Sequence, residues 1–206
     1  MFLLLFVRRE DDYSFKPCLK KWLIGISVAI AIILPFIVFP MDTVYNMIAS
    51  KNNNINTIEF ENSLRDPKTV NLLHFEMVND SMYVSHDTVA RLNLSDGRYI
   101  VSFVTAGCDF CKFGASKLSM IAEHNGIDKV HLKFLVWGYD ADIVRFREET
   151  NTADSDYWFI HPKKSIDITY GRFPTYIWLN NGKIVTSGDL RNLNENGIVN
   201  FITTTN

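Results

Sequence analysis

Apolar and polar positions divide this chain into two unlike parts. From Trp22 to Met41 the sequence WLIGISVAIAIILPFIVFPM runs for 20 residues without a charge. As a helix this run is roughly 30 Å long, which matches a bilayer core. It also lacks the polar face that a helix buried in a soluble domain keeps. Trp22 stands at one end, where an indole prefers the membrane interface, and Pro35 is tolerated in lipid as a kink. The reading is one transmembrane helix over residues 22–41. Arg8, Arg9, Lys16, Lys20 and Lys21 precede it, and only Lys51 follows closely. The positive-inside bias keeps residues 1–21 in the cytoplasm and sends the C-terminal part outward. A cleaved signal peptide is the competing reading. Against it stand the length of the apolar core and the poor cleavage site at Met47-Ile48-Ala49. Phe2 to Val7 is also apolar but too short to span.

Beyond the anchor, residues 42–57 are polar and Asn-rich and read as a linker. Residues 58–206 carry the alternations of a folded domain. Leu72 to Met77 and Met82 to Val84 suit two short strands around a turn at Asn79-Asp80. Arg98 to Val104 is β-rich and apolar, the pattern of a buried central strand. Gly107 breaks it. Cys108 to His124 then reads as a helix with Phe113, Leu118, Ile121 and Ala122 on its apolar face, stopped by Gly126. Val130 to Trp137 is a second buried strand, and Asp140 suits the N-cap of a helix through Glu149. Pro174 to Leu179 and Lys183 to Ser187 flank Asn180-Asn181-Gly182, a strong hairpin signal. Leu193 to Phe201 suits a closing helix. Parallel strands joined by helices and then a hairpin make a mixed α/β sheet.

Composition adds exclusions. The net charge is −2 and charges of both signs are interspersed, so nothing points to nucleic acid. Three cysteines, Cys18, Cys108 and Cys111, are too few for a disulfide scaffold. Cys18 precedes the apolar run and reads as a membrane-edge thiol. Cys108 and Cys111 are different, because Gly107-Cys108-Asp109-Phe110-Cys111-Lys112 places two thiols three apart at a helix start. Such a pair can close a disulfide across one turn, and the positive end of the helix favours the thiolate that attacks in thiol–disulfide exchange. Cys111, one turn in, is placed to resolve the mixed disulfide. A zinc site needs two further ligands, and His86, His124, His131 and His161 are scattered without ligand spacing.

The stretch from Tyr99 to Lys112 resembles the active-site segment of the thioredoxin-like superfamily: an apolar strand, a short turn, then C-x-x-C-K opening a helix. Arg172-Phe173-Pro174-Thr175-Tyr176-Ile177-Trp178-Leu179, with Asn181-Gly182-Lys183 after it, is similar to that family's second marker, a cis-proline before a hairpin strand. The resemblance covers about Ser95 to Phe201. It implies a thioredoxin-like fold and a redox-active Cys108/Cys111 pair. It implies a cis Pro174 beside the sulfurs and a substrate-binding backbone at Phe173, Pro174 and Thr175. It calls for no cofactor. With the anchor, it resembles bacterial envelope thiol–disulfide oxidoreductases. That implies an inner-membrane protein with its domain in the periplasm, protein disulfide substrates and a membrane electron donor.

Departures stand beside the likeness. Ser102 occupies the place of the family's buried acid, Asp109-Phe110 that of Gly-Pro, and Gly107 that of Trp. Asp109 sets an anion beside the thiolate and Phe110 offers no donor, while Lys112 helps only if it turns toward the sulfur. The expectation is a reductant near about −270 mV, not an oxidant near about −120 mV. A peroxiredoxin-like reading satisfies only Thr105-x-x-Cys108, with Val101 where the proline belongs. The non-enzymatic alternative is a tethered module of the same fold that binds partners or delivers metal without turnover.

Overall fold

The computed structural model describes residues 22, 25–31, 55–65 and 69–204. Trp22 and residues 25–31 are helical. The rest of the apolar run, most of the linker and Cys18 lie outside the described residues. Among those described, no helix is long and apolar enough to cross a membrane.

Among the described residues the folded domain is already engaged at Asn56, within the stretch read as linker. The Asn56 N–H donates to the Ile168 carbonyl (2.9 Å), and its Oδ1 accepts from the Glu59 N–H (3.1 Å). That side chain opens helix α1, Thr57–Arg65. Strands β1 (Val70–Val78) and β2 (Ser81–Asp87) follow, then β3 (Arg98–Thr105), α2 (Asp109–His124), β4 (Leu132–Trp137) and α3 (Asp140–Glu149). After them come β5 (Asp156–Ile160), α4 (Pro162–Thr169), β6 (Thr175–Asn180), β7 (Lys183–Gly188) and α5 (Glu195–Thr203).

Among the described residues the strands form one sheet in the order β2-β1-β5-β4-β3-β6-β7. β3, β4 and β5 are parallel, while β6 runs antiparallel to β3 and β1 to β5. One face packs Ile100, Val104, Leu118, Phe134 and Phe146 under α2, α3 and α5. The other packs Phe60, Val101, Phe103, Leu135 and Ile168 under α1 and α4. A strand sandwiched this way is apolar on both faces, which is why β3 and β4 read as continuous apolar runs. Lys133 is the exception on β4: it is buried, with its ammonium paired to Asp156 on β5.

Several boundaries differ from the sequence reading. Asp140 is the first residue of α3 and Tyr139 the N-cap, with the Asp140 carboxylate 3.3 Å from His86 Nε2 instead. Lys129–His131 form a 3-10 turn before β4, held by the Asp128 side chain accepting from the Val130 N–H. Phe113 is 60% exposed. The buried face of α2 runs through Cys111, Ala115, Leu118 and Ala122, and Phe113 sits about 200° round the helix from Cys111. β5 and α4 fill the stretch between residues 150 and 173, for which the sequence reading offered no element.

Candidate active site

β3 delivers the site. Its last residue, Thr105, is followed by a loop held by two hydrogen bonds: Ala106 N–H to the Trp137 carbonyl (3.2 Å) and Cys108 N–H to the Thr105 carbonyl (3.1 Å). Cys108 is the N-cap of α2, with extended backbone at φ −96° and ψ 118°. Its Sγ accepts from the Cys111 N–H at 3.3 Å, as an N-cap oxygen would. The sulfur therefore sits among the unpaired N–H groups at the positive end of the helix.

The two thiols differ in exposure. Cys108 is half-buried, whereas Cys111 is 0% exposed, and both are free of a disulfide. Burial pushes the Cys111 thiol well above its ordinary range, and the hydrogen bond to Cys108 adds to this. Phe110, 70% exposed, and Gly107 leave the approach to Cys108 open. Lys112 does not turn toward the sulfur: its Nζ is bound to Glu149 at 2.7 Å.

Pro174 is buried and its bond to Phe173 is cis. β3 and β6 pair Ser102 with Tyr176 and Phe103 with Thr175, so Pro174 lies one step further along, toward the end of β3 that leads to Cys108. Thr175 is buried, and its Oγ1 donates to the Arg172 carbonyl at 2.8 Å, closing the loop that carries the proline. Phe173 packs edge-on against Trp137, with ring centroids 6.0 Å apart. All five residues singled out from the sequence thus gather around the C-terminal end of β3, where parallel sheets place their sites.

Two glycines were not singled out. A Cβ at Gly138 would lie 2.9 Å from the Cβ of Ala106, so this glycine lets β4 pass close under the cysteine loop. A Cβ at Gly114 would lie 1.9 Å from the Tyr176 hydroxyl. A glycine inside a helix costs about 0.5–1 kcal/mol relative to alanine, and that penalty was the available sequence signal.

A half-exposed thiol at a helix N-terminus, backed by a buried second thiol one turn on, can attack a disulfide and then release it. Among the described residues no group of three or more His, Cys, Asp or Glu side chains could hold a metal ion.

No protein-family model matches the chain, and no curated protein matches it. Solved structures do. One is the thioredoxin domain of a thiol–disulfide oxidoreductase from Bacteroides vulgatus, 18% identical, with a TM-score of 0.45 over 65% of this chain and 94% of that one. Another is a secreted disulfide oxidoreductase of Mycobacterium tuberculosis, 16% identical, with a TM-score of 0.39 over 53% and 82%. A third is a pneumococcal exposed lipoprotein thioredoxin, from Streptococcus pneumoniae, 17% identical, with a TM-score of 0.41 over 63% and 97%. With parallel strands beside an antiparallel hairpin, a dithiol opening α2 and a cis-proline before β6, the domain has a thioredoxin-like fold.

Proposed function

We propose that this chain is a membrane-tethered thiol–disulfide oxidoreductase that reduces disulfides of envelope proteins. The observation that carries the reading is the asymmetry of the pair: Cys108 half-exposed and accepting the Cys111 N–H, Cys111 wholly buried. The Cys108 thiolate attacks one sulfur of a substrate disulfide, the substrate S–S bond breaks, and the departing sulfur takes a proton. Cys111 then attacks Cys108 and frees the second substrate sulfur. Two electrons pass to the substrate, and a dithiol donor in the membrane restores the pair. Phe173, Pro174 and Thr175 present the backbone on which a substrate peptide lies beside the sulfurs. Residues 22–41 anchor the chain in the inner membrane, with the domain on the periplasmic side. The uncharged run and its flanking charge bias support that topology.

What surrounds Cys108 supports the reducing direction. Strong oxidants surround their thiolate with extra donors and cations. Here Asp109 is an anion, and Lys112 is spent on Glu149. A redox titration against glutathione is expected to give a potential well below about −180 mV, nearer that of thioredoxin; a higher value assigns the chain to oxidases or isomerases. The roles are tested by trapping. Cys111→Ser should accumulate mixed disulfides on Cys108, and Cys108→Ser should accumulate none. Trapping by Cys108→Ser alone would reverse the roles, and an inert wild-type dithiol would leave a binding module.

A further inference from the structure

Resolution makes a demand that the cysteines alone do not meet. Cys111 must give up its proton at a site where burial opposes charge. Among the described residues, β3, β4 and β6 contain no carboxylate, and Asp109 at the start of α2 is exposed. On α2, Lys112 is tied to Glu149. Asp189, before the last helix, is the one carboxylate whose charge reaches Tyr176. It is held by the Arg191 N–H at 2.9 Å and the Arg191 guanidinium at 3.1 Å.

Two hydroxyls do face the site. Ser102 and Tyr176 stand directly opposite each other across β3 and β6, so their side chains share one face of the sheet. It is the α2 face, because Ile100 and Val104, two positions either side of Ser102, pack there with Cys111. Both residues are 0% exposed, and neither Ser102 Oγ nor Tyr176 Oη has a hydrogen-bond partner among the described residues. A buried hydroxyl left without a hydrogen bond is unfavourable, and here two such groups stand side by side.

The Tyr176 hydroxyl occupies the place of a Cβ on Gly114, one turn beyond Cys111. Helix side chains lean toward the N-terminus, so a group in that place sits on the Cys111 side of the turn. α2 thus accepts a glycine in its interior to admit one hydroxyl at the turn that follows Cys111, in the same core cluster and with no hydrogen bond yet made. The ring is also buried, and the charges of Cys111 and Cys108 further oppose its ionisation, so the phenol keeps its proton and stays a donor.

We propose that the Tyr176 hydroxyl, with Ser102 behind it, donates the hydrogen bond that holds the Cys111 thiolate while it attacks Cys108. This rests on reading the pair as an oxidoreductase. In that step the Cys111 S–H bond breaks and its proton ends on the leaving substrate sulfur. The Cys108–substrate bond breaks and the Cys108–Cys111 bond forms. Tyr176 keeps its own proton throughout.

The test is single-turnover resolution in the purified full chain, starting from a mixed disulfide of Cys108 with a small aromatic thiol. Tyr176→Phe removes one oxygen from the core. It should slow resolution about 10- to 100-fold, the usual worth of one hydrogen bond to a charged group, and move its pH profile upward. Attack by Cys108, measured with Cys111→Ser, should stay within twofold. Gly114→Ala should displace the hydroxyl and slow resolution similarly, with little further loss when Tyr176 is already Phe. Asp189→Asn should leave the rate unchanged. An unchanged rate and pH profile in Tyr176→Phe overturns the inference while leaving the oxidoreductase reading intact. So does a larger loss in Asp189→Asn. A wild-type chain that never resolves its mixed disulfide overturns both.

Discussion

Two hairpins close the sheet at opposite edges, and they are built on the same turn. Asn79-Asp80 joins β1 to β2 with φ of 49° and 60°, and Asn181-Gly182 joins β6 to β7 with φ of 48° and 74°. Both are two-residue loops with left-handed residues, whose twist matches that of paired strands. From there they diverge. β6 is buried from Thr175 to Leu179 and pairs with β3 over six positions. β1 joins β5 over only three, and β2 alternates between exposed and half-buried. Phe75 and Val84 reach the core rim, where Phe75 packs edge-on against Tyr157. The same turn chemistry therefore makes a wall of the active site in one place and a cover for the core in the other. The neighbouring strand decides which.

The largest test of that contrast is catalytic. Cys108→Ser or Cys111→Ser should lower disulfide-reductase turnover by at least about a thousandfold, the scale of losing a nucleophile. Tyr83→Ala on β2 should leave turnover within twofold, since that side chain is exposed and distant in the sheet order from β3. A comparable loss from Tyr83→Ala would make the β1–β2 hairpin part of the substrate surface.

How much was legible in advance follows the same division. The site segment could be read because its signals are local: an apolar run, two cysteines three apart, Asn-Gly between strands. What escaped depends on distant partners. Asp156-Tyr157-Trp158-Phe159-Ile160 is a strand because β4 lies on one side and β1 on the other. Phe113 has helical spacing from Cys111 wrong for the core, and only the true phase of α2 exposes this. Gly114 signals only an unfavourable helix residue, and Gly138 nothing, until Tyr176 and Ala106 are seen against them. The Ser102 substitution was visible, but its cross-strand partner was not.

Stability should divide the hairpins next. Ile177 is wholly buried on β6, so Ile177→Ala should cost about 2–5 kcal/mol. Tyr83→Ala should stay within about 0.5 kcal/mol. Urea unfolding of the two variants decides it, and equal costs would erase the distinction. Gly138→Ala falls between. Its new Cβ meets Ala106 at 2.9 Å, and overpacking of this kind costs about 1–3 kcal/mol. Because Ala106 belongs to the cysteine loop, this variant should also slow mixed-disulfide formation, read directly with Cys111→Ser.

The smallest effect concerns how each hairpin is anchored. Asn181 fixes its turn with groups that do not titrate: its N–H donates to the Gly97 carbonyl (2.7 Å), and its Oδ1 accepts from the Gly97 N–H (2.8 Å). The β1–β2 hairpin is anchored at its far end by a carboxylate. Asp87 Oδ1 accepts from the Ala90 N–H (3.0 Å) and the Val89 N–H (2.8 Å), and Oδ2 lies 3.6 Å from His74 Nε2. The backbone bond from Ala90, then that from Val89, holds the Asp87 carboxyl below the usual carboxylate range. A folded-state value below the unfolded one means that the folded chain binds this proton less readily. Its contribution is complete above the unfolded value near about 4 and fades as pH falls through the folded value. Amide exchange at Val89 and Ala90 should therefore gain protection as pH rises through that window, after correction for the intrinsic pH dependence of exchange. The gain should vanish in Asp87→Asn, while the Gly97 amide stays flat in both proteins. An acid dependence at Val89 that survives Asp87→Asn would place the titrating anchor elsewhere.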